Sequence, residues 1–198
     1  MKTIIDIFEE SVNRYGDKHF LLEKVENQYQ PLTYRQTQEK AIQFGAGLIS
    51  LGIEKDDRIT LIAEGCNNWL ISELGIFYAG AINVPITVKM NEPHDLIFRI
   101  NHSGSKIIIT SINQWKKIEK IIPELPKLEK IIIFEKQDNK DFPCYSFNEV
   151  IEFGKTLLSN NPERIEQRRK MLKPEDYATI CYTSGTTADP KGVILTHS

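Results

Sequence analysis

Two stretches, Lys106-Ile107-Ile108-Ile109-Thr110 and Lys130-Ile131-Ile132-Ile133-Phe134, decide the fold. Each is an unbroken β-branched run, short enough for a strand, with no polar residue at its centre to turn towards water. A strand that is apolar on both faces needs cover on both faces. That is the condition of a parallel sheet with helices above and below it. The shared Lys-Ile-Ile-Ile opening marks two similar buried strands rather than a repeat architecture, because nothing else in the chain recurs.

Working outward, strand and helix signals alternate. Ile4, Ile5, Phe8 and Val12 recur at helical spacing and Gly16 ends that helix. Residues 20–25 and 29–32 read as a hairpin turning over Glu26-Asn27. Thr33, with Gln36 three residues on, is expected to cap a helix that runs to Gly52. A buried strand is expected at 59–63, a helix capped by Asn67 or Asn68, and another strand at 81–85. Further helices are expected from Pro93 and between the two isoleucine strands, an exposed loop at 138–143, and a polar helix at 146–159. A charged stretch covers 162–176, where Arg168-Arg169-Lys170 reads as a solvated helix face.

Composition removes several classes of function. In 198 residues, 25 basic side chains meet 27 acidic ones, so no electrostatic case exists for a nucleic-acid partner or an anionic membrane. Cys66, Cys144 and Cys181 lie far apart, which suits neither a disulfide framework nor a zinc site and fits a reducing, cytoplasmic setting. Asp6, Glu9 and Glu10 interrupt the apolar start, so no signal peptide is expected. The greasiest region, 69–86, is broken by Glu73 and Asn83 and reads as a buried helix plus a strand rather than a membrane span. The protein is expected to be soluble, which leaves room for peripheral membrane contact. His94 and His102 fall on one expected helix without partner ligands and read as surface residues; Cys181 reads as a small buried thiol.

The chemistry is concentrated near the end, at Thr183-Ser184-Gly185-Thr186-Thr187-Ala188-Asp189-Pro190-Lys191-Gly192. Four hydroxyls, two glycines and one lysine lie between strand-like runs at 178–182 and 193–196. Hydroxyl and backbone N–H donors can surround phosphate oxygens, and Gly185 lets the main chain approach them closely. Lys191 adds a positive point charge. This is not the G-x-x-x-x-G-K-[ST] loop, because Pro190 stands where the second glycine should be and a strand, not a helix, follows. A plain hydroxyl-rich surface turn is the alternative for such a loop.

From Tyr182 to Val193 the stretch resembles the phosphate loop of the adenylate-forming (AMP-binding) enzymes, a superfamily that includes acyl-CoA synthetases and firefly luciferase. Leu195-Thr196-His197 continues the likeness. Upstream, Leu32-Thr33-Tyr34, the turn Gly52-Ile53-Glu54-Lys55-Asp56-Asp57-Arg58-Ile59, Asn67-Asn68-Trp69, Ala79-Gly80-Ala81 and Val84-Pro85 resemble family segments in family order. Asp56 and Ala188 depart from it, standing where the family has Gly, and Gly or Ser, respectively. Alanine at a positive φ would cost about 1 kcal/mol or more.

The resemblance implies an α/β fold, the first part of a large N-terminal domain. The remainder of that domain and a C-terminal lid domain would be absent from residues 1–198. It implies ATP-dependent activation of a carboxylic acid to an acyl-adenylate and then an acyl-CoA, with ATP, Mg²⁺ and CoA as cofactors. Thr183, Ser184, Gly185, Thr186, Thr187 and Lys191 would bind nucleotide, Thr183 would also touch Mg²⁺, and no catalytic side chain would lie in this stretch. The 198 residues are expected to be inactive alone and to leave apolar surface uncovered. Asn83-Val84-Pro85-Ile86 and Ile180-Cys181-Tyr182-Thr183 look most similar to long-chain fatty acyl-CoA synthetases, with acetyl, aromatic and aminoacyl specificities still open. A non-catalytic nucleotide-binding or degenerate regulatory module is the alternative.

Overall fold

The computed structural model describes residues 1–136, 141–183 and 190–198. The first helix, α1 (Ile4–Tyr15), opens with a capping box in which the Thr3 hydroxyl accepts from the Asp6 amide and the Asp6 carboxylate accepts from the Thr3 amide. A two-stranded hairpin follows, β1 (His19–Val25) and β2 (Gln28–Thr33). Glu26 and Asn27 take φ of 47° and 66°, the two left-handed residues of a turn whose twist matches its strands. Thr33 and Gln36 form a second capping box, which starts α2 (Tyr34–Ser50) as the sequence predicts.

The main sheet begins at β3 (Arg58–Ile62), followed by α3 (Asn67–Tyr78), β4 (Ile82–Pro85), α4 (Pro93–Ser103) and β5 (Ile107–Thr110). Then come α5 (Ile112–Ile121), β6 (Lys130–Ile133), β7 (Cys144–Ser146), α6 (Phe147–Asn160), α7 (Arg164–Lys170), β8 (Tyr177–Thr183) and β9 (Lys191–Thr196). Among the described residues the seven strands lie in the order β7-β6-β5-β3-β4-β8-β9. Every neighbouring pair is parallel except β8 and β9.

The isoleucine runs do what their composition requires. In β5 and β6, Ile107, Ile109 and Ile132 join the core under α1, α2, α3 and α6, together with Ile59 and Leu61 of β3. Ile108, Ile131 and Ile133 face the other way, into a core closed by Leu96 and Ile100 of α4 and Trp115 and Ile118 of α5. Period-two alternation therefore sends one apolar run into two cores. Helix α6 lies so close to α2 that backbones touch: a Cβ on Gly154 would stand 1.7 Å from the Gln43 carbonyl oxygen, and one on Gly47 would stand 2.1 Å from that of Val150. Phe44 and Phe147 stack beside this contact at 4.8 Å.

Several expectations are corrected. The cap of α3 is Cys66, with no side-chain hydrogen bond, and Asn67 and Asn68 are already helical. Arg168 is not on a solvated face: it is 5% exposed, and its Nη2 donates to Glu54 at 2.7 Å. The packing of α7 against α2 and α3 draws that side chain inward, and Arg169 is half-buried in ion pairs with Glu166 and Asp6, so of the three only Lys170 stays exposed. Strand β7 completes the sheet edge beside β6. Of the loop expected at 138–143, residues 138–140 lie outside the described residues, and Phe142 packs partly buried against the α4–α5 core. Asp56 takes φ of 67°, so it adopts the left-handed conformation that glycine would supply at that turn. No helix among the described residues is long and apolar enough to cross a membrane.

Candidate functional site

The hydroxyl-rich stretch sits between β8 and β9, as the flanking apolar runs predict. These strands pair antiparallel with Thr183 directly opposite Lys191. Directly opposed residues bring their Cβ atoms to roughly 5 Å. Because β8 runs parallel to β4, Thr183 lies at the carboxyl end of the parallel strands, the edge at which open α/β sheets bind ligands. Both Thr183 and Lys191 are exposed, and among the described residues no carboxylate pairs with Lys191. Ser184, Gly185, Thr186 and Thr187, and Ala188 with them, lie outside the described residues.

The approach to Thr183 is held from α4. The Tyr182 hydroxyl and the His102 Nδ1 share a hydrogen bond of 2.8 Å, and their rings meet edge to face at 5.7 Å. Burial pushes the Tyr182 phenol upward in pKa. Gly192 stands opposite Tyr182 in the register; a Cβ there would meet the tyrosine ring at 3.5 Å and the Ile180 side chain at 2.9 Å. The missing side chain leaves room for the aromatic ring to lie across the partner strand. His102 is thus exposed but bonded, where the sequence suggests only a surface residue; His94 is fully at the surface. Nothing in the sequence links His102 to Tyr182, because the two lie 80 residues apart.

Tyr182, Ile180, Gly192, Ile194 and Ile82 line one side of a cavity of about 690 Å³ along the inner side of the hairpin. The outer strand leaves Val193, Ile194 and Leu195 between 43% and 50% exposed. Cys181 is half-buried rather than fully buried, and burial raises its thiol pKa, so it is not an activated nucleophile. Among the described residues no group of three or more His, Cys, Asp or Glu side chains could hold a metal.

His197, just after β9, is 3% exposed and meets Phe77 edge to face at 5.4 Å. Neither ring nitrogen has a hydrogen-bond partner among the described residues. Burial lowers its pKa below the ordinary value, and Asp176, Lys55 and Asp6 act on it more weakly. A histidine whose folded pKa is depressed binds fewer protons than the unfolded chain does. Stability is therefore full above the unfolded pKa of roughly 6.5 and falls as the pH drops through it. The urea midpoint is expected to decline between pH 6.5 and pH 5, and the decline is expected to flatten in His197→Leu. Equal slopes for the two proteins would refute this.

A profile of the AMP-binding enzyme family matches residues 8–198, and the chain belongs to that family. It is 32% identical over 206 residues to a chloroplastic long-chain-fatty-acid–[acyl-carrier-protein] ligase of Arabidopsis thaliana, covering 99% of this chain and 28% of that protein. It is 30% identical over 196 residues to the long-chain-fatty-acid–CoA ligase ACSBG2 of Xenopus laevis, covering 98% of this chain and 26% of the relative. The chain thus spans little more than a quarter of these relatives. Among solved structures, the anthranilate CoA ligase AuaEII in complex with anthranoyl-AMP superposes with a TM-score of 0.80 at 25% identity, covering 99% of this chain and 35% of that one.

Proposed function

We propose that this chain supplies the phosphate-binding hairpin of a ligase that activates a long-chain fatty acid with ATP. The observation that carries the reading is the pairing of Thr183 with Lys191 at the carboxyl edge of the sheet, at the two feet of the hydroxyl-rich stretch. In the reaction a carboxylate oxygen attacks the α-phosphorus of ATP, the bond to the β-phosphate oxygen breaks, and pyrophosphate leaves. A thiol, that of CoA, then attacks the acyl carbon of the adenylate and AMP departs. No protein nucleophile is needed; positioning and charge neutralisation account for the rate.

Thr183, Ser184, Gly185, Thr186 and Thr187 bind the β- and γ-phosphates, and the Lys191 ammonium offsets the charge that develops on the departing pyrophosphate. The Thr183 hydroxyl, exposed at the strand end, is a hard oxygen donor that suits Mg²⁺. When bound, that ion neutralises phosphate charge. The remaining ligands would come from the nucleotide and, as the family resemblance implies, from a glutamate carboxylate.

The coverage of the relatives supports placing this activity in a longer polypeptide, and the 198 residues alone are expected to form no acyl-adenylate. The exposed Val193-Ile194-Leu195 strand is consistent with further packing against such a polypeptide. The test is ATP–pyrophosphate exchange by the longer protein with acids of graded chain length, followed by transfer to CoA or to an acyl carrier protein. Exchange driven by long-chain acids supports the reading. Activity only with amino acids or aromatic acids would reject the substrate class, and no exchange with any acid would reject the enzyme.

A further inference from the structure

We propose that His102 is a positioning residue for the phosphate-binding hairpin, acting through Tyr182, the residue that precedes Thr183. This inference rests on the proposed function. The imidazole is itself held: Phe98, one helical turn earlier on α4, stacks on it at 5.4 Å with the planes 19° apart. Its Nδ1 shares the 2.8 Å hydrogen bond with the Tyr182 hydroxyl, which donates when the ring proton sits on Nε2. Arg99 closes the other side. It is 7% exposed, and its Nη1 donates to the Asp95 carbonyl at 2.8 Å and to the Asp95 carboxylate at 3.1 Å. This leaves the guanidinium carbon 5.9 Å from the centre of the Tyr182 ring. Gly192 completes the slot by leaving the ring room over β9.

The arrangement ties the last turn of α4 to the final strand residues before the loop. Side chains alternate along a strand, so fixing the Tyr182 ring on the cavity side also fixes the face on which Thr183 emerges. Lys191 is coupled in turn, because it pairs with Thr183. A hydrogen bond this exposed adds little to global stability. Its effect falls instead on the geometry of the two feet, which the binding of phosphate uses. Near-attack positioning is sensitive to shifts of about an ångström.

The experiment compares His102→Ala, His102→Asn, Tyr182→Phe and the double variant His102→Ala/Tyr182→Phe in the longer ligase, by ATP–pyrophosphate exchange and thermal melting. His102→Ala and Tyr182→Phe are each expected to raise KM for ATP about fivefold, the effect of one lost hydrogen bond, with KM for the acid unchanged. The double variant is expected to be no worse than either single one. His102→Asn, whose amide places a polar atom where Nδ1 sits, is expected to recover most of the loss, and all melting points are expected to stay within a few degrees. An unchanged KM for ATP, additive losses, or an equal rise in KM for the acid would overturn the inference. If the wild-type protein shows no exchange at all, the proposed function fails instead. The inference is then decided by amide shifts at Thr183 and Lys191: His102→Ala is expected to move both, and unmoved signals reject it.

Discussion

If the proposed function holds, Lys191→Ala is expected to lower ATP–pyrophosphate exchange by the proposed longer ligase by about a hundredfold to a thousandfold, the range seen when one preorganised group that stabilises developing charge is removed. Lys191 is exposed at the start of β9 and has no carboxylate partner among the described residues. Its loss should therefore leave the melting temperature within about a degree of the wild type, as surface substitutions do. The fall should appear mainly in kcat, because pyrophosphate gathers charge as it leaves. Lys191→Arg should recover only part of the rate, since a planar guanidinium spreads its charge and cannot follow the phosphate as a compact ammonium does. Retention of turnover within threefold in Lys191→Ala would reject the phosphate role. Partner binding that survives in a protein without exchange activity would point to the regulatory module instead.

Gly154→Ala is expected to have the largest effect on stability. The added methyl carbon would lie 1.7 Å from the Gln43 carbonyl oxygen, well inside any tolerable contact. Both groups belong to backbone of packed helices, so no side-chain rotamer can yield, and α6 must lift from α2. Phe44 and Phe147 would then lose their stacking. Overpacking usually costs about 1–3 kcal/mol, and a clash of backbone against Cβ belongs at the top of that range or beyond it. In a domain of this size that corresponds to a melting temperature lower by roughly 6–12 °C. Gly47→Ala should behave alike. Gly65→Ala is the control, because nothing lies within 4 Å of its Cβ position; it is expected to be neutral or slightly stabilising. A Gly154→Ala protein within 1 kcal/mol of the wild type in urea would contradict the α2–α6 contact.

Local signals were legible wherever the physics is local. Thr33 with Gln36 announces a helix start because both partners of the capping box lie within one turn. Glu26-Asn27 announces a hairpin because the turn is made by the two residues it names. The apolar runs on either side of the hydroxyl-rich stretch form the two strands that their composition announces. Asn67 and Asn68 misled because the preceding Cys66 takes the extended cap conformation first, leaving both asparagines inside the helix. Arg168 and His102 misled because a charge or an imidazole in sequence carries no record of what packs against it. Their partners, Glu54 and Tyr182, lie 114 and 80 residues away.

By itself, then, the sequence determined the mainly parallel sheet, most of the order of helices and strands, and the hydroxyl-rich stretch for which a phosphate role is proposed. Isoleucine periodicity, caps and turn residues act over a few positions and need no distant partner. Only the tertiary structure decided that Thr183 faces Lys191, that α4 holds Tyr182, and that α2 and α6 meet through glycine. Those facts depend on strand register and helix docking, which are set by packing between segments far apart in the chain.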